Sequence, residues 1–401
     1  MNTSSPFHVL VAPSGFKESL DADTVAAAVS EGIRRVVPGA EVVCLPIVDG
    51  GEGTAAALAA ATGGRIVRRR VTGPTGAPVD SHFAVLGDGS TAVVEMAAAA
   101  GLRLVPREAR NPLRTSTRGV GELIRHALDL GCRRVLIGCG DSGTSDGGAG
   151  ALAALGMRLL DAEGRQVPDG ARGLRRVVRI DAAGLDPRLA DVALEVACNP
   201  TNVLTGPRGV ARVFGPQKGA TPAQVDRLAK ILKRWSQLLE RDVPGAAGRD
   251  LRRGLGTGAS GGLGAGLAAV GARLRPRFDV LLESIDLDAA IAGADLVVTA
   301  EGSIDAQTPH GKVPAEVARR AKAQGKPVLA MAGTIGAHAD AVYATGIDAI
   351  QCILPSPVDL EEACARGAEF VADGTERAMR TMLMGAALAV ASGTATFVHA
   401  A

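Results

Sequence analysis

Short apolar runs, each followed by a glycine-rich loop and a helical pattern, recur along the chain and constrain its fold more than any other feature. Residues 8–12 (HVLVA) predict a strand, and residues 24–37 (TVAAAVSEGIRRVV) predict a helix with one apolar face and Asp21 as its N-cap. Residues 41–48 predict a second strand, and the same order returns later, with a strand at residues 294–300, a long loop at 301–312 and a helix at 313–325. We therefore expect an α/β fold with a doubly wound, mainly parallel sheet.

A different pattern interrupts this order after the second helix. The turn motifs GPTGAP (73–78) and GDGS (87–90) separate segments that we expect to be antiparallel strands. A chain of 401 residues also exceeds the usual size of one compact core. We predict a discontinuous Rossmann-like domain, residues 1–70 plus 281–401, and an inserted mixed α/β domain, residues 71–280.

Charge and composition exclude several classes of partner. The chain has 44 basic and 42 acidic residues and only 2% aromatic residues, so it offers neither a basic field nor stacking platforms for nucleic acid. The sequence shows no signal peptide, and we expect no membrane association. Six cysteines without a CxxC pair indicate reduced thiols. We expect a cytoplasmic protein.

Two loops near the start of the chain place candidate chemistry between a strand and a helix, where ligands usually bind in such folds. The segment PSGFKESL (13–20) offers Lys17. The segment VDGGEGT (48–54) offers two carboxylates for a metal or a proton, and glycines that allow a close ligand. Its candidates are Asp49, Gly50, Gly51 and Glu52.

Two further loops are rich in glycine. In CGDSGTSDGG (139–148), Gly147 and Gly148 could direct N–H groups at an anion, and Asp146 is either a catalytic carboxylate or a helix cap, the cap being favoured on local grounds. In GLGTGASGGLGAGL (254–267), Gly261 and Gly262 are typical of phosphate-binding backbone, with an interdomain hinge as the alternative.

The remaining candidates lie in two long loops. The segment TAEGSIDAQTPHGK (299–312) offers Glu301, Asp305, Gln307 and Lys312, and residues 199–221 offer Asn202, Arg208 and Lys218. Glycine loops suit phosphates, lysines suit developing phosphoryl charge, and carboxylates suit Mg²⁺ or a hydroxyl proton, so phosphoryl transfer is the favoured chemistry. HExxH and a GxGxxG after the first strand do not occur, which disfavours zinc and dinucleotide alternatives.

The ordered motifs resemble those of the bacterial glycerate kinase family, type I. The resemblance is carried by APSGFKESLDA, PIVDGGEGT, VEMAAAAGL, GCGDSGTSDGGAGALAALG, VFGPQKGAT, GASGGLGAGL and DLVVTAEGSIDAQTPHGKVPAEVA. It implies two α/β domains with the active site in the cleft between them. It also implies an ATP-dependent enzyme that phosphorylates D-glycerate to 2-phosphoglycerate.

The same resemblance, combined with the residue types, assigns roles to the candidates. ATP and Mg²⁺ are the expected cofactors, and a small hydroxy acid is the expected substrate. The catalytic candidates are Lys17, Asp49, Asp146, Lys218 and Asp305; the nucleotide-binding candidates are Gly50, Gly51, Glu52, Gly147, Gly148, Gly261, Gly262 and Lys312; the substrate-binding candidates are Asn202, Arg208 and Gln307; and the metal ligands are Glu301 and Asp305.

The motifs differ from the family pattern at several positions, and the differences keep alternatives open. They include Ser14, Gly15, Ser145, Asn199 and Ser303, the last of which replaces an arginine. One alternative is a divergent paralogue that phosphorylates another hydroxy acid or a specialised metabolite. A second is a non-catalytic protein that binds a phosphorylated metabolite. The sequence does not decide the oligomeric state, for which a homodimer is the candidate.

Overall fold

The computed structural model describes residues 6–16, 19–283 and 285–391. The chain forms two compact units, one made of Met1–Val48 and Asp286–Ala401 and the other of Asp49–Ile285. The first unit is thus discontinuous and the second is inserted into it. The boundaries fall after residues 48 and 285, whereas the sequence analysis placed them after residues 70 and 280.

The strands of the described residues are short and are separated by helices through much of the chain. In chain order they are β1 (His8–Val11), β2 (Glu41–Cys44), β3 (Arg65–Thr72), β4 (Pro78–Val85), β5 (Thr91–Glu95), β6 (Arg134–Gly138), β7 (Arg158–Leu160), β8 (Arg179–Asp181), β9 (Ala193–Cys198), β10 (Arg273–Pro276), β11 (Leu296–Ile304), β12 (Val328–Ile335) and β13 (Ala349–Cys352).

The α-helices of the described residues range from single turns to a 25-residue C-terminal helix. They are α1 (Ala22–Val36), α2 (Thr54–Thr62), α3 (Met96–Ala100), α4 (Arg118–Asp129), α5 (Ala149–Ala154), α6 (Ala171–Leu174), α7 (Val210–Val213), α8 (Pro222–Asp242), α9 (Ala259–Ala269), α10 (Arg277–Leu281), α11 (Leu287–Ala292), α12 (Val313–Ala323), α13 (Leu360–Ala365) and α14 (Gly367–Ala391).

The first unit contains a five-stranded sheet in the order β13-β12-β11-β1-β2, in which every neighbouring pair is parallel. Helix α1 starts at the predicted cap, because Asp21 Oδ1 accepts the Thr24 N–H at 2.7 Å. Val29 and Ile33 of α1 are fully buried in the same core as Val298 of β11 and Phe370 of α14. The predicted parallel α/β architecture is confirmed.

The second unit contains a six-stranded mixed sheet in the order β10-β9-β6-β5-β4-β3 and a two-stranded sheet, β7-β8. The strands from β10 to β5 are parallel to their neighbours, and the β5-β4 and β4-β3 pairs are antiparallel. The predicted antiparallel segments around GPTGAP and GDGS are therefore confirmed. One core packs on this sheet around Phe83, Leu123 and Ile137, and a second is centred on Trp235 of α8.

Strand β11 is longer than the sequence predicts. The prediction ended this strand at Ala300 and assigned the following residues to a long loop. In the structure Ser303 and Ile304 still pair with Thr334 and Ile335 of β12. The polar segment stays extended because the neighbouring strand β12 supplies its hydrogen bonds. The pattern of apolar residues within the segment gives no sign of this neighbour.

None of the helices in the described part of the chain has the length and apolar content that crossing a membrane requires. The C-terminal part of α14 is apolar but short, and its side chains Met384, Leu388 and Val390 are exposed.

Candidate active site

The loop between β2 and α2 in the second unit, residues 49–53, carries the most accessible of the carboxylates predicted to be catalytic. Asp49 Oδ1 accepts the Gly51 N–H at 2.9 Å, which closes a local turn. Gly50 and Gly53 have φ angles of +85° and +89°, a left-handed conformation that other residues rarely adopt. The glycines of this motif therefore shape the turn that presents Asp49, whose side chain is 34% exposed.

The β6–α5 loop lies directly against this turn. The Gly140 N–H donates to the Gly50 carbonyl oxygen at 2.9 Å, and a Cβ on Gly140 would overlap the backbone of Gly51. Asp141, in the same loop, has a φ of +50°. Two of the loops that the sequence analysis singled out, residues 49–53 and 139–148, are thus brought together within one unit.

Carboxylate oxygens of the protein already accept hydrogen bonds from several N–H groups at the start of α2. The residue before helix α2 is Gly53, which has no side chain to cap the helix. The observed pairs are Asp49 Oδ1 with the Gly51 N–H (2.9 Å), Asp141 Oδ2 with the Glu52 N–H (3.4 Å) and Glu95 Oε1 with the Ala55 N–H (2.6 Å). A helix start with free N–H groups suits phosphate, but here carboxylates of the protein already accept from several of these N–H groups. The geometry favours a contact with hydroxyl or cationic groups here; nucleotide binding by Gly50, Gly51 and Glu52 stays a prediction.

Two arginines lie beside the same loop. Arg277 Nη1 donates to the Asp49 carbonyl oxygen at 3.1 Å and lies 3.4 Å from Asp49 Oδ2. Arg103 Nε is 3.1 Å from Glu52 Oε2, and both of these side chains are about half exposed. Arg277, in contrast, is only 16% exposed and is held in place by α10.

Asp146 is fully buried, and its carboxylate acts as a structural acceptor. Its two oxygens accept from the Thr117 N–H (2.9 Å), the Thr117 hydroxyl (3.0 Å), the Gly148 N–H (3.2 Å) and the Gly150 N–H (3.1 Å). Burial raises the pKa of Asp146, and the donated hydrogen bonds oppose that rise. The structure thus favours the capping alternative, and a catalytic role for Asp146 stays a prediction.

Lys218 is also buried, with 2% of its surface exposed. Its Nζ donates to Ser142 Oγ at 2.9 Å and to the Thr144 carbonyl oxygen at 2.7 Å. Burial lowers the pKa of Lys218 to about 7. Because both contacts are to the β6–α5 loop, the geometry gives Lys218 a positioning role for that loop; its contact with substrate stays a prediction.

The four candidate glycines of the two glycine-rich segments lie inside the second unit, with protein backbone against them. The Gly147 N–H donates to the Gly261 carbonyl oxygen at 3.1 Å. A Cβ on Gly261 would overlap the Thr144 carbonyl oxygen, and one on Gly262 would lie 2.8 Å from Gly147 Cα. Gly148 is buried too. Their observed role is close packing of one loop on another, and nucleotide binding by these glycines stays a prediction.

The carbonyl group of Gly147 is held by Trp235. Trp235 Nε1 donates to this oxygen at 2.9 Å, and the indole is 1% exposed. We expect Trp235→Phe to lower the free energy of unfolding by about 1–3 kcal/mol, because a buried carbonyl loses its donor. Because Trp235 is the single tryptophan of the chain, its replacement removes the tryptophan fluorescence. Urea denaturation followed by circular dichroism therefore measures the change. An unchanged midpoint would contradict a structural role for this bond.

The substrate candidates of the second unit lie after β9. Asn202 is half-buried; its N–H donates to the Asn199 carbonyl oxygen at 3.1 Å, and its own carbonyl oxygen accepts the Gly258 N–H at 3.0 Å. Arg208 is exposed. The structure therefore holds the backbone of Asn202 firmly and leaves the Arg208 side chain accessible to a ligand.

A second cluster of candidates forms in the first unit, where β11 leads to α12. Lys312 Nζ lies 3.4 Å from Glu301 Oε1 and 3.4 Å from Asp305 Oδ1, and it donates to the Ser303 carbonyl oxygen at 3.1 Å. Asp305 Oδ1 also accepts the N–H of the exposed Gln307 at 2.8 Å. All four predicted residues of this loop are thus neighbours. Lys17, the remaining catalytic candidate of this unit, lies outside the described residues.

A profile of the glycerate kinase family matches residues 9–383. This chain belongs to the glycerate kinase family. The glycerate kinase of Bacillus subtilis (strain 168) is 49% identical over 364 residues, which cover 90% of this chain and 94% of that protein. The glycerate 2-kinase of Escherichia coli (strain K12) is 42% identical over 385 residues, 94% of this chain and 98% of that protein.

A solved structure of a family member also resembles the chain. It is a crystal structure of a Salmonella typhimurium LT2 protein provisionally named glycerate kinase 2, with a TM-score of 0.77 and 45% identity. The match covers 95% of this chain and 99% of that one. The resemblance inferred from the motifs is therefore confirmed, as is the α/β fold.

Within this glycerate kinase family member, two residues beside the candidate loop escaped the sequence analysis. Glu95 entered the sequence analysis only as part of the motif VEMAAAAGL. A glutamate at the end of an apolar strand is unusual, because glutamate is rarely buried, and this could have marked Glu95 as a candidate. Arg277 is one of several arginines in a basic stretch, and nothing in its local sequence separates it from the others.

Proposed function

We propose that this protein is an ATP-dependent glycerate kinase that transfers a phosphoryl group to the 2-hydroxyl of D-glycerate and produces 2-phosphoglycerate. The observation that carries the proposal is the match to proteins named glycerate kinase along nearly the whole chain. The same motifs supply the accessible carboxylate of Asp49 and the cluster of polar residues around Lys312.

Asp49 is our candidate for the group that orients and deprotonates the substrate hydroxyl. It is accessible, it is fixed by a hydrogen bond to the Gly51 N–H, and Arg277 lies beside it. Proton transfer by a positioned carboxylate typically contributes about 10²–10⁴-fold to a rate. Asp146 is fully buried and is therefore the weaker candidate, and Asp305 remains the alternative in the first unit.

Lys312 is our candidate for stabilising the phosphates of ATP, together with Lys17. Its ammonium group lies 3.4 Å from Glu301 Oε1 and 3.4 Å from Asp305 Oδ1 and is held in place by them, which suits contact with a transferring phosphoryl group. Lys218 supports the reaction by holding the β6–α5 loop. For the substrate carboxylate we propose Arg208, with polar contacts from Asn202 and Gln307.

The residues present fit an Mg²⁺ ion that enters with ATP. Glu301 and Asp305 supply two carboxylates, and Mg²⁺ in such enzymes is often held by one or two carboxylates plus substrate phosphates. Among the described residues there is no cluster of three or more His, Cys, Asp or Glu residues able to hold a metal. The ion, when bound, would neutralise charge on the phosphates.

The residue at position 303 is a reason to retain a second class of substrate. Ser303 replaces the family arginine, and its carbonyl oxygen accepts from Lys312, so this position supplies no guanidinium group for a carboxylate. A paralogue that phosphorylates another hydroxy acid is therefore the second candidate. The free cysteines agree with a reducing, cytoplasmic location, and a homodimer remains a prediction.

A coupled assay of ADP release tests the proposal. We expect Mg²⁺- and ATP-dependent turnover of D-glycerate in preference to L-glycerate, glycolate and lactate, with phosphorus NMR identifying 2-phosphoglycerate. The Lys17→Ala variant, purified in parallel, controls for contaminating kinases and should lose turnover. Turnover of another hydroxy acid without D-glycerate would support the paralogue, and no turnover of any acceptor would support a non-catalytic binding protein.

A further inference from the structure

Glu95 is a buried carboxylate to which neither the sequence analysis nor the proposed reaction assigns a role. It is the last residue of β5, a central strand of the six-stranded sheet, and only 1% of its surface is exposed. Its Oε1 accepts the Ala55 N–H at 2.6 Å, so a residue from a strand 40 positions away supplies the cap that Gly53 cannot supply to α2.

The second oxygen of Glu95 makes this carboxylate costly to bury. Oε2 is buried and has no hydrogen-bond partner in the described part of the chain. A serine or threonine at the helix start would cap α2 without burying a charge. Capping alone therefore does not require a carboxylate at this position.

The charged groups around Glu95 connect it to the loop of residues 49–53. Burial raises the pKa of Glu95 to about 7; the N–H groups of Ala55 and Gly53 lower it, the Glu52 carboxylate raises it, and the Arg103 guanidinium lowers it. From β4, His82 faces the same Glu52 and Arg103, and burial lowers its pKa.

We propose that Glu95 is a positioning residue for phosphoryl transfer: its ionised carboxylate fixes the start of α2 and so holds Asp49 in its reactive orientation. This inference rests on the proposed function, because it takes the loop of residues 49–53 as part of the catalytic machinery. Asp141 anchors the same loop through the Glu52 N–H, so Glu95 acts as the second of two anchors.

Protonation of Glu95 should weaken its hold on the loop. A charged acceptor binds an N–H group about twice as strongly as a neutral one. As the pH falls through about 7, Glu95 becomes neutral and the turn around Asp49 loosens. The activity of the enzyme should therefore decline on the acid side together with the ionisation of a residue that does not touch substrate.

The contribution of Glu95 to the free energy of unfolding should change with pH in the opposite direction to the activity, and decrease as the pH rises. The folded-state pKa of about 7 exceeds the ordinary value of 4.5, so the folded state binds the proton more tightly than the unfolded chain. The contribution of Glu95 to stability is complete below pH 4.5 and is lost as the pH rises through about 7. Glu95→Gln should then become more stable than the unmutated protein as the pH increases.

The test compares Glu95→Gln with the unmutated protein between pH 6 and pH 8.5. Glutamine keeps the size and one acceptor oxygen but never ionises. At pH 8 we expect kcat for D-glycerate to fall about tenfold, less than the ~10²-fold loss that a 1 Å displacement of a catalytic group can cause. The KM for ATP should be unchanged, and the difference in kcat should shrink towards pH 6.

Glu122→Gln is the matched control. Glu122 accepts the N–H and the hydroxyl of Thr72 at 2.7 and 2.8 Å, and it stands outside the candidate loops. The same chemical change there should leave the pH profile of kcat unaltered. Equal pH profiles for Glu95→Gln and the unmutated protein would overturn the proposal.

Hydrogen exchange gives a readout that does not need activity. Peptides that cover residues 49–58 should exchange faster in Glu95→Gln than in the unmutated protein at pH 8, and the ratio should approach one at pH 6. If neither protein phosphorylates any acceptor, this pH-dependent ratio still supports positioning by Glu95 while the proposed function fails. A ratio of one at every pH overturns the positioning role.

Discussion

Asp49→Asn is expected to lower kcat for D-glycerate by about two to four orders of magnitude, because the substrate hydroxyl loses the group that accepts its proton. The amide oxygen of asparagine can still accept the Gly51 N–H, so the turn of residues 49–53 should survive. The KM for ATP and the melting temperature should change little. Steady-state kinetics with varied ATP and saturating D-glycerate measure kcat and the KM for ATP, and thermal denaturation measures the melting temperature.

Asp88→Asn is a matched control for this variant. Asp88 Oδ1 accepts the N–H of Ser90, two residues on, at 2.9 Å, which is the same local turn in the hairpin between β4 and β5. The control should keep the kcat of the unmutated protein. A kcat within threefold of the unmutated value for Asp49→Asn would refute the proposed role and make Asp305 the next carboxylate to test.

Asp146→Ala is expected to destabilise the second unit by about 3 kcal/mol or more, because it leaves several buried donors without an acceptor. These donors are the N–H groups of Thr117, Gly148 and Gly150 and the Thr117 hydroxyl. Asp146→Asn keeps one acceptor oxygen and should cost less. Urea denaturation followed by the fluorescence of Trp235, which contacts Gly147, measures the difference.

Asp186→Ala provides the comparison for an ordinary capping aspartate. Asp186 caps a short 3₁₀ turn by accepting the Arg188 N–H at 3.0 Å, and its loss should cost only about 1 kcal/mol. The two roles considered for Asp146 predict different results. A stable Asp146→Ala protein with kcat reduced more than a hundredfold would show that this aspartate acts in the chemistry and not in the packing.

Local sequence patterns predicted correctly the structural elements that are determined by interactions within a few residues. The cap at Asp21 and the antiparallel turns follow from side chains and glycines that act within a few residues. The extension of β11 to Ile304 was missed because its hydrogen bonds come from β12. Motif order identified the family since many loops had to match together, and no single loop would have sufficed.

The candidate site was predicted less completely, for a physical reason. A glycine can make room for a ligand or for another part of the chain, and the sequence of the segment is the same in both cases. Gly261 and Gly262 adjoin Thr144 and Gly147, and only the tertiary structure shows this. Glu95 and Arg277 were missed because their roles depend on which distant backbone they meet.

The carboxylates that engage the start of α2 have a consequence for ligand discovery. A compound that carries a phosphate mimic would meet the carboxylates of Asp49 and Asp141 at this loop and find its N–H groups in use. A polyol or an amine would instead meet acceptors that are already oriented. Fragment libraries aimed at this loop should therefore be rich in hydrogen-bond donors and poor in anions.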